Sequence, residues 1–98
     1  MRKEKPMTSL ITKDRTDRCF LCGKFGVMHK HHIFGAARRN ASEKHGLFVH
    51  LCVDCHTQVH GKYGAALMQY LHELGQRAYE DQIGSREQFI DEFIRSYL

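Results

Sequence analysis

The sequence contains no run of apolar residues that approaches the roughly 18 needed for a membrane-spanning helix. The charged N-terminal segment MRKEKPMTSL has no apolar stretch behind it, so it does not match a secretory signal. Internal repeats of long period and low-complexity segments are also absent from the sequence, which excludes repeat architectures and biased linkers. We therefore expect a cytosolic globular protein.

The composition predicts one folded domain. A chain of 98 residues suffices for a single hydrophobic core, whereas two cores would each be too small. Hydrophobic residues make up 42% and charged residues 27% of the chain, which is ordinary for a globular protein and does not predict extensive disorder. The formal net charge of +4 modestly favours a polyanionic partner such as DNA or RNA.

The patterning predicts an α+β fold behind a basic N-terminal arm. Residues 1–18 mix basic and acidic side chains and are interpreted as a partly ordered arm, and residues 19–98 as a single domain. Two short strands are expected, over about residues 29–33 and 47–52. They would form a hairpin whose long basic connection, residues 34–46, is a loop or a brief helical turn.

Beyond Cys55 the apolar period changes from two to about 3.6, which predicts helices. A short histidine-bearing helix is followed by a glycine-marked break and a longer helix that ends before Gly84. Ser85 and Gln88 have the spacing of a capping box that starts a terminal helix. Residues 61–98 are assigned to packing. The predicted apolar face of the terminal helix comprises Phe89, Ile90, Phe93, Ile94 and Tyr97.

The four cysteines form two Cys-x-x-Cys pairs, Cys19 with Cys22 and Cys52 with Cys55. Disulfides are rare in a reducing cytosol, where such pairs more often bind metal. Gly23 lets the backbone N–H groups of a zinc knuckle turn toward the thiolates. Four thiolates can surround one Zn²⁺ tetrahedrally and leave no position for a substrate. We therefore predict a structural zinc that contributes to folding.

Histidines provide a second candidate metal set. His56 and His60 are four residues apart, so on a helix they project from one face. This spacing alone is weak evidence, because such pairs are more often surface or packed side chains. His31 and His32 lie on the first predicted strand, where neighbours point to opposite faces, so only one of them can readily join the helical pair. The spacing leaves open which one does.

Three histidines on one cation leave coordination positions open, which is typical of a catalytic site. The fourth imidazole would stay free beside the metal. With an unperturbed pKa near 6.5, a free imidazole can take a proton from water close to neutral pH. For a phosphodiester substrate, the cation would stabilise the leaving 3′-oxygen and the free imidazole would activate the attacking water.

The order of these residues resembles the HNH, or ββα-metal, endonucleases, in particular the branch braced by a four-cysteine zinc. The matching pattern is two histidines, a connecting loop, a strand and a cysteine-histidine helix, in the order His31, His32, Cys52, Cys55, His56, His60. It covers about residues 19–60. The segment HHIFGAARRNASEKHGLFVHLCVDCH and the terminal REQFIDEFIRSYL are similar to small HNH-like proteins of phages and prophages, over nearly the whole chain.

This resemblance implies a ββα-metal core with additional C-terminal helices, and it implies roles for the histidines. His31, His56 and His60 would be ligands of the catalytic metal, with His60 the least constant of them in the wider superfamily. His32 would be the general base.

One position departs from the HNH pattern. These enzymes usually carry an asparagine shortly before the second strand, where it holds the loop and orients the base. Here that position falls around residues 45–47, and the only asparagine between the histidines is Asn40. Either His45 replaces the missing side chain, or Asn40 reaches back to the base.

Arg38 and Arg39 lie in the connection, where guanidinium groups could grip phosphates on either side of a cut. A solvated basic loop explains them equally well. No segment resembles a sequence-reading helix, so we expect a preference for DNA shape over base identity. A chain this small offers little surface to a duplex, and a homodimer or a phage or host protein partner is compatible with the sequence.

Two functional hypotheses follow. The first is a metal-dependent HNH endonuclease that cuts DNA, with a structural Zn²⁺ and a second divalent cation, Mg²⁺, Mn²⁺, Ni²⁺ or Zn²⁺, for catalysis. The alternative is a non-catalytic zinc-binding module that binds nucleic acid or a protein partner.

Overall fold

The computed structural model describes residues 8–98. The predicted small α+β fold is confirmed, with a two-stranded sheet and four helices. None of the helices in this part of the chain combines the length and apolar character needed to cross a membrane. In chain order the elements are β1 (His29–His32), a 3₁₀ turn (Ala36–Arg38), α1 (Arg39–Lys44), β2 (Phe48–Leu51), α2 (Val53–Val59), α3 (Ala65–Gln82) and α4 (Arg86–Phe93).

The two strands pair antiparallel, with His31 opposite Val49 and His32 opposite Phe48. The aromatic and β-branched residues of β2 suit a pleated, buried position, and Phe48, Val49 and Leu51 are fully buried. The histidine-rich β1 is more exposed and covers one edge of the buried strand. A hydrophobic strand therefore supports a strand that carries polar, chemically active side chains.

The connection between the strands is more ordered than the predicted loop or brief turn, because it contains the 3₁₀ turn and the six-residue helix α1. Ser42, a fully buried residue of α1, closes it. Its hydroxyl donates to the carbonyl of Leu47 at 2.6 Å and accepts from the backbone N–H of Phe34 at 3.2 Å. One hydroxyl thus joins the end of β1 to the start of β2.

Helix α3 ends at Gln82, before Gly84 as predicted, and packs closely on the end of β1. A Cβ atom at Gly75 would lie 2.9 Å from Ile33 and 3.0 Å from Phe34, so a larger residue would push helix and strand apart. Phe34 also contacts α4, with ring centroids 4.7 Å from Phe93 and 5.4 Å from Phe89. These aromatic contacts join both C-terminal helices to the hairpin.

Helix α4 begins with the predicted capping box, since the hydroxyl of Ser85 accepts from the N–H of Gln88 and the Gln88 side chain accepts from Ser85. Its predicted apolar face is wrong at Ile94, which is 65% exposed. The helix ends at Phe93 and Ile94 takes a φ of 79°, which turns the chain back. Tyr97 then donates its backbone N–H to buried Gln76 at 2.6 Å.

Part of the predicted arm, residues 1–7, lies outside the described residues. The part from residue 8 onward packs against the hairpin. Leu10 donates its N–H to the carbonyl of Gly46 at 2.7 Å, and Ile11 is buried in the core. Asp14 accepts from the backbone N–H and the ring of His50 at 2.7 and 2.6 Å. This carboxylate fastens the N-terminal segment to β2.

Replacing Ser42 with Ala should destabilise the protein by about 1–3 kcal/mol, because the N–H of Phe34 would be buried without a partner. The exposed Thr57→Ala change should stay within about 0.5 kcal/mol of the parent. Urea denaturation followed by circular dichroism measures both. Equal stability of the two variants would contradict the bridging role of the Ser42 hydroxyl.

Candidate metal centre

The two Cys-x-x-Cys pairs meet. The sulfurs of Cys19, Cys22, Cys52 and Cys55 all lie within 4.8 Å of one another, although the pairs are 30 residues apart in sequence. Zn–S bonds of about 2.3 Å in a tetrahedron separate the sulfurs by about 3.8 Å. The sulfurs of Cys22 and Cys52 are 3.8 Å apart. The cluster therefore fits a structural zinc.

Backbone geometry prepares both pairs for this arrangement. Gly23 has a φ of 81° and donates its N–H to the carbonyl of Cys19, which closes the first knuckle tightly. In the second knuckle, Cys52 is the N-cap of α2, and its sulfur accepts from the N–H of Cys55 at 3.4 Å. A thiolate suits this position, since a helix N-terminus presents unpaired N–H groups.

The thiols cannot all ionise together without a cation between them. Burial alone would raise the pKa of Cys19, but hydrogen bonds from the backbone of Cys52, Cys22 and Leu21 outweigh it and lower the pKa to about 6. Burial and the neighbouring sulfurs raise the pKa of Cys55. A cation between the four sulfurs would stabilise all of them as thiolates.

Three histidines form a second cluster. The candidate ligand atoms of His31, His56 and His60 lie within 4.8 Å of one another. Their ring centroids form a nearly equilateral triangle, with sides of 5.4, 5.2 and 5.0 Å. The strand provides the ring of His31, α2 provides that of His56, and the C-cap residue of α2 provides that of His60. Of the two strand histidines, His31 is the one that meets the helical pair.

The environment of His31 is unusual for an imidazole. The residue is 3% exposed, and its buried Nε2 atom has no hydrogen-bond partner within residues 8–98. Burial, followed by the charges that His56 and His60 would carry, lowers its pKa to about 4. Burial also lowers the pKa of His56. A neutral ring with an unpaired buried nitrogen is suited to binding a metal ion.

His29 adds a further imidazole that the sequence interpretation did not assign to the site. It lies two residues before His31 on β1, and its Nδ1 is 3.2 Å from Nδ1 of His56. The signal was present, because alternate residues of a strand share a face. Metal-bound histidines commonly use their second ring nitrogen in such a hydrogen bond.

His32 points away from the cluster toward α1. Its Nε2 lies 2.7 Å from a carboxylate oxygen of Glu43, and Lys30 contacts the same carboxylate at 3.2 Å. With Arg39 and Asn40, these side chains line one shallow groove. Of the two residues considered in place of the HNH asparagine, Asn40 is therefore the one beside His32. No sequence signal indicated this role for Glu43, because the apolar pattern of residues 34–46 did not define the helix α1 that turns Glu43 toward His32.

His45 and Arg38 lie elsewhere. Nε2 of His45 bonds to Glu92 of α4 at 2.8 Å, and its ring packs edge-on against Tyr79 of α3. Arg38 belongs to the 3₁₀ turn, is half-buried, and its Nε has no hydrogen-bond partner among the described residues. Arg39 is exposed, at the groove that contains His32.

Comparison with models of protein families, with curated proteins and with solved structures finds no match to this chain. Inference of its function therefore depends on the two clusters. One consists of thiolates only and fits a closed structural site. The other consists of imidazoles, which can bind a cation without filling its coordination sphere.

Replacing Cys52 with Ala should abolish zinc binding and cooperative thermal unfolding, because thiolate ligation is coupled to folding and the cap of α2 is lost. His32→Ala should remain folded with its zinc, since that ring lies outside both clusters. Circular dichroism melting and elemental analysis of bound zinc test the pair. A Cys52→Ala protein with unchanged melting would contradict the structural zinc.

Proposed function

We propose that the chain is a metal-dependent endonuclease of the HNH type that hydrolyses phosphodiester bonds in DNA. One observation carries the proposal. The buried, unpartnered Nε2 of His31 lies in a cluster with His56 and His60, while the adjacent His32 stays free of that cluster. The HNH assignment is supported by the order of the elements, in which the β1–β2 hairpin with His31 precedes helix α2 with His56.

The imidazole cluster would hold the catalytic ion. His31, His56 and His60 provide three nitrogen donors, which leaves positions for a phosphate oxygen and water. A divalent cation bound there supplies Lewis-acid stabilisation of the charge on the phosphate and on the leaving 3′-oxygen. Burial keeps His31 neutral at neutral pH, so its lone pair is available without loss of a proton.

His32 would act as the general base. It follows the ligand His31 directly on β1, and its ring is held at one nitrogen by Glu43. The other ring nitrogen is left to accept the proton of the attacking water. Adjacent residues of a strand point to opposite faces, so the side chain of His32 stays out of the ligand set while its backbone neighbours the ligand His31.

The surface at His32 supports a nucleic acid substrate. Arg39 is exposed at the same groove and can form charge-assisted hydrogen bonds to a phosphate. The formal net charge of +4 favours a polyanion. Phosphate contacts position a duplex without reading its sequence, which fits a nuclease that recognises DNA shape.

The alternative, a zinc module without catalysis, requires only the four thiols. Such a module would gain nothing from His31. Leaving its Nε2 buried and unpaired costs about 1–3 kcal/mol. A bound cation offsets that cost. The histidine cluster therefore favours the endonuclease over the binding module.

The purified protein should nick supercoiled plasmid when Mg²⁺, Mn²⁺, Ni²⁺ or Zn²⁺ is supplied, and the folded His32→Ala variant should be slower by about 100-fold or more, because it lacks the general base. Separate reactions with each ion identify the metal. Absence of nicking with every ion, or equal rates for parent and variant, would favour the binding module.

Arg39→Ala should weaken DNA binding and lower the slope of log affinity against log salt by about one, because one phosphate contact no longer releases a counterion. Arg77→Ala, an exposed change on α3, is the matched control and should leave the slope unchanged. Fluorescence anisotropy in the His32→Ala background avoids cleavage of the probe. Equal slopes for both arginine variants would remove Arg39 from the DNA contact surface.

A further inference from the structure

The pairing of His32 with Glu43 joins the candidate base to the helix of the connection. Nε2 of His32 and Oε1 of Glu43 are 2.7 Å apart, a distance typical of a charge-assisted hydrogen bond. The His32 side chain is 13% exposed and that of Glu43 40% exposed. The imidazole is therefore largely enclosed, whereas the carboxylate that it contacts is open to solvent. The imidazole of His32 makes no other hydrogen bond within residues 8–98.

The direction of this hydrogen bond follows from the carboxylate. The Glu43 carboxyl is 40% exposed and lies 3.2 Å from the ammonium of Lys30, so it is ionised at neutral pH. An ionised carboxylate only accepts hydrogen bonds, so Nε2 of a neutral His32 must carry the proton and donate it. Nδ1 is then the ring nitrogen with a free lone pair.

We propose that Glu43 is the positioning residue of this site, which holds His32 in the Nε2–H tautomer so that Nδ1 accepts the proton of the attacking water. The inference rests on the proposed function and deepens it. On this proposal, two adjacent residues of α1 together replace the missing HNH asparagine. Ser42 holds the loop through backbone hydrogen bonds, and Glu43 orients the base through its side chain.

The neighbouring side chains are less suited to this role. Asn40 lies one helical turn before Glu43 and lines the same groove, but it has no hydrogen bond to His32. His45 is bonded to Glu92 on the far side of α1. Lys30 contacts Glu43 at 3.2 and 3.3 Å and packs over the ring of Phe48, and it is a second hydrogen-bond donor to the carboxylate.

The decisive variant is Glu43→Ala, compared with Lys30→Ala and with the exposed Glu87→Ala on α4. In zinc-loaded, ¹⁵N-histidine-labelled protein at pH 7.5, two-bond ¹⁵N–¹H spectra distinguish the two neutral tautomers of His32. The parent, Lys30→Ala and Glu87→Ala should show the Nε2–H form. Glu43→Ala should show a mixture, with unchanged melting and bound metal, since Glu43 lies outside both metal clusters.

In plasmid nicking with the most active ion, Glu43→Ala should lower kcat by about 10- to 100-fold without raising KM for DNA, as expected for a group that orients another. Glu87→Ala should match the parent in both constants.

Three results would overturn the inference: a parent in which His32 is not the Nε2–H tautomer, a Glu43→Ala variant with an unchanged tautomer, or a tautomer change without a fall in kcat. Failure of the proposed function looks different. The parent would then nick no plasmid with any ion, while the His32 tautomer still depended on Glu43.

Discussion

The close approach of four sulfurs is the constraint on which the rest of this structure depends. It joins residues 19–22 to residues 52–55, and the latter directly follow β2 and form the cap and first turn of α2. A two-stranded sheet has little stability of its own, so the hairpin needs such a link together with the helices that cover it. Because Cys52 is the N-cap of α2, the position of the thiol cluster also sets where His56 and His60 lie. A site that stabilises the fold thereby positions the side chains proposed for catalysis.

The second constraint is the ordered connection between the strands. Its helix α1 is too short to be stable alone, and it is held by the buried hydroxyl of Ser42 and by the contacts of its C-cap residue, His45, with Glu92 and Tyr79. This support lets two adjacent residues of one strand have opposite environments. His31 is buried, neutral and unpartnered beside α2, and His32 is hydrogen-bonded to a carboxylate beside α1. One strand with helices on two sides therefore separates a candidate ligand from a candidate base.

Much of the fold was accessible from the sequence because its signals are local. The two strands, the end of α3 before Gly84 and the Ser85 capping box depend on periodicity, glycines and short-range hydrogen bonds. The error at Ile94 shows the limit of such signals. The apolar pattern continues past Phe93, but the chain turns at Ile94, and the backbone N–H of Tyr97 donates to the side chain of Gln76, a residue 21 positions away. This contact is long-range, and periodicity contains no information about it.

For the candidate site, the sequence by itself determined the two donor sets, because the Cys-x-x-Cys spacing and the i, i+4 histidines restrict which atoms can share an ion. Only the tertiary structure decided which strand histidine joins the helical pair, since alternation on a strand separates His31 from His32 without saying which face meets α2. It also decided the partners of the candidate base. Glu43 is 11 residues from His32, and no pattern predicts a contact that depends on the orientation of a short helix packed by distant side chains.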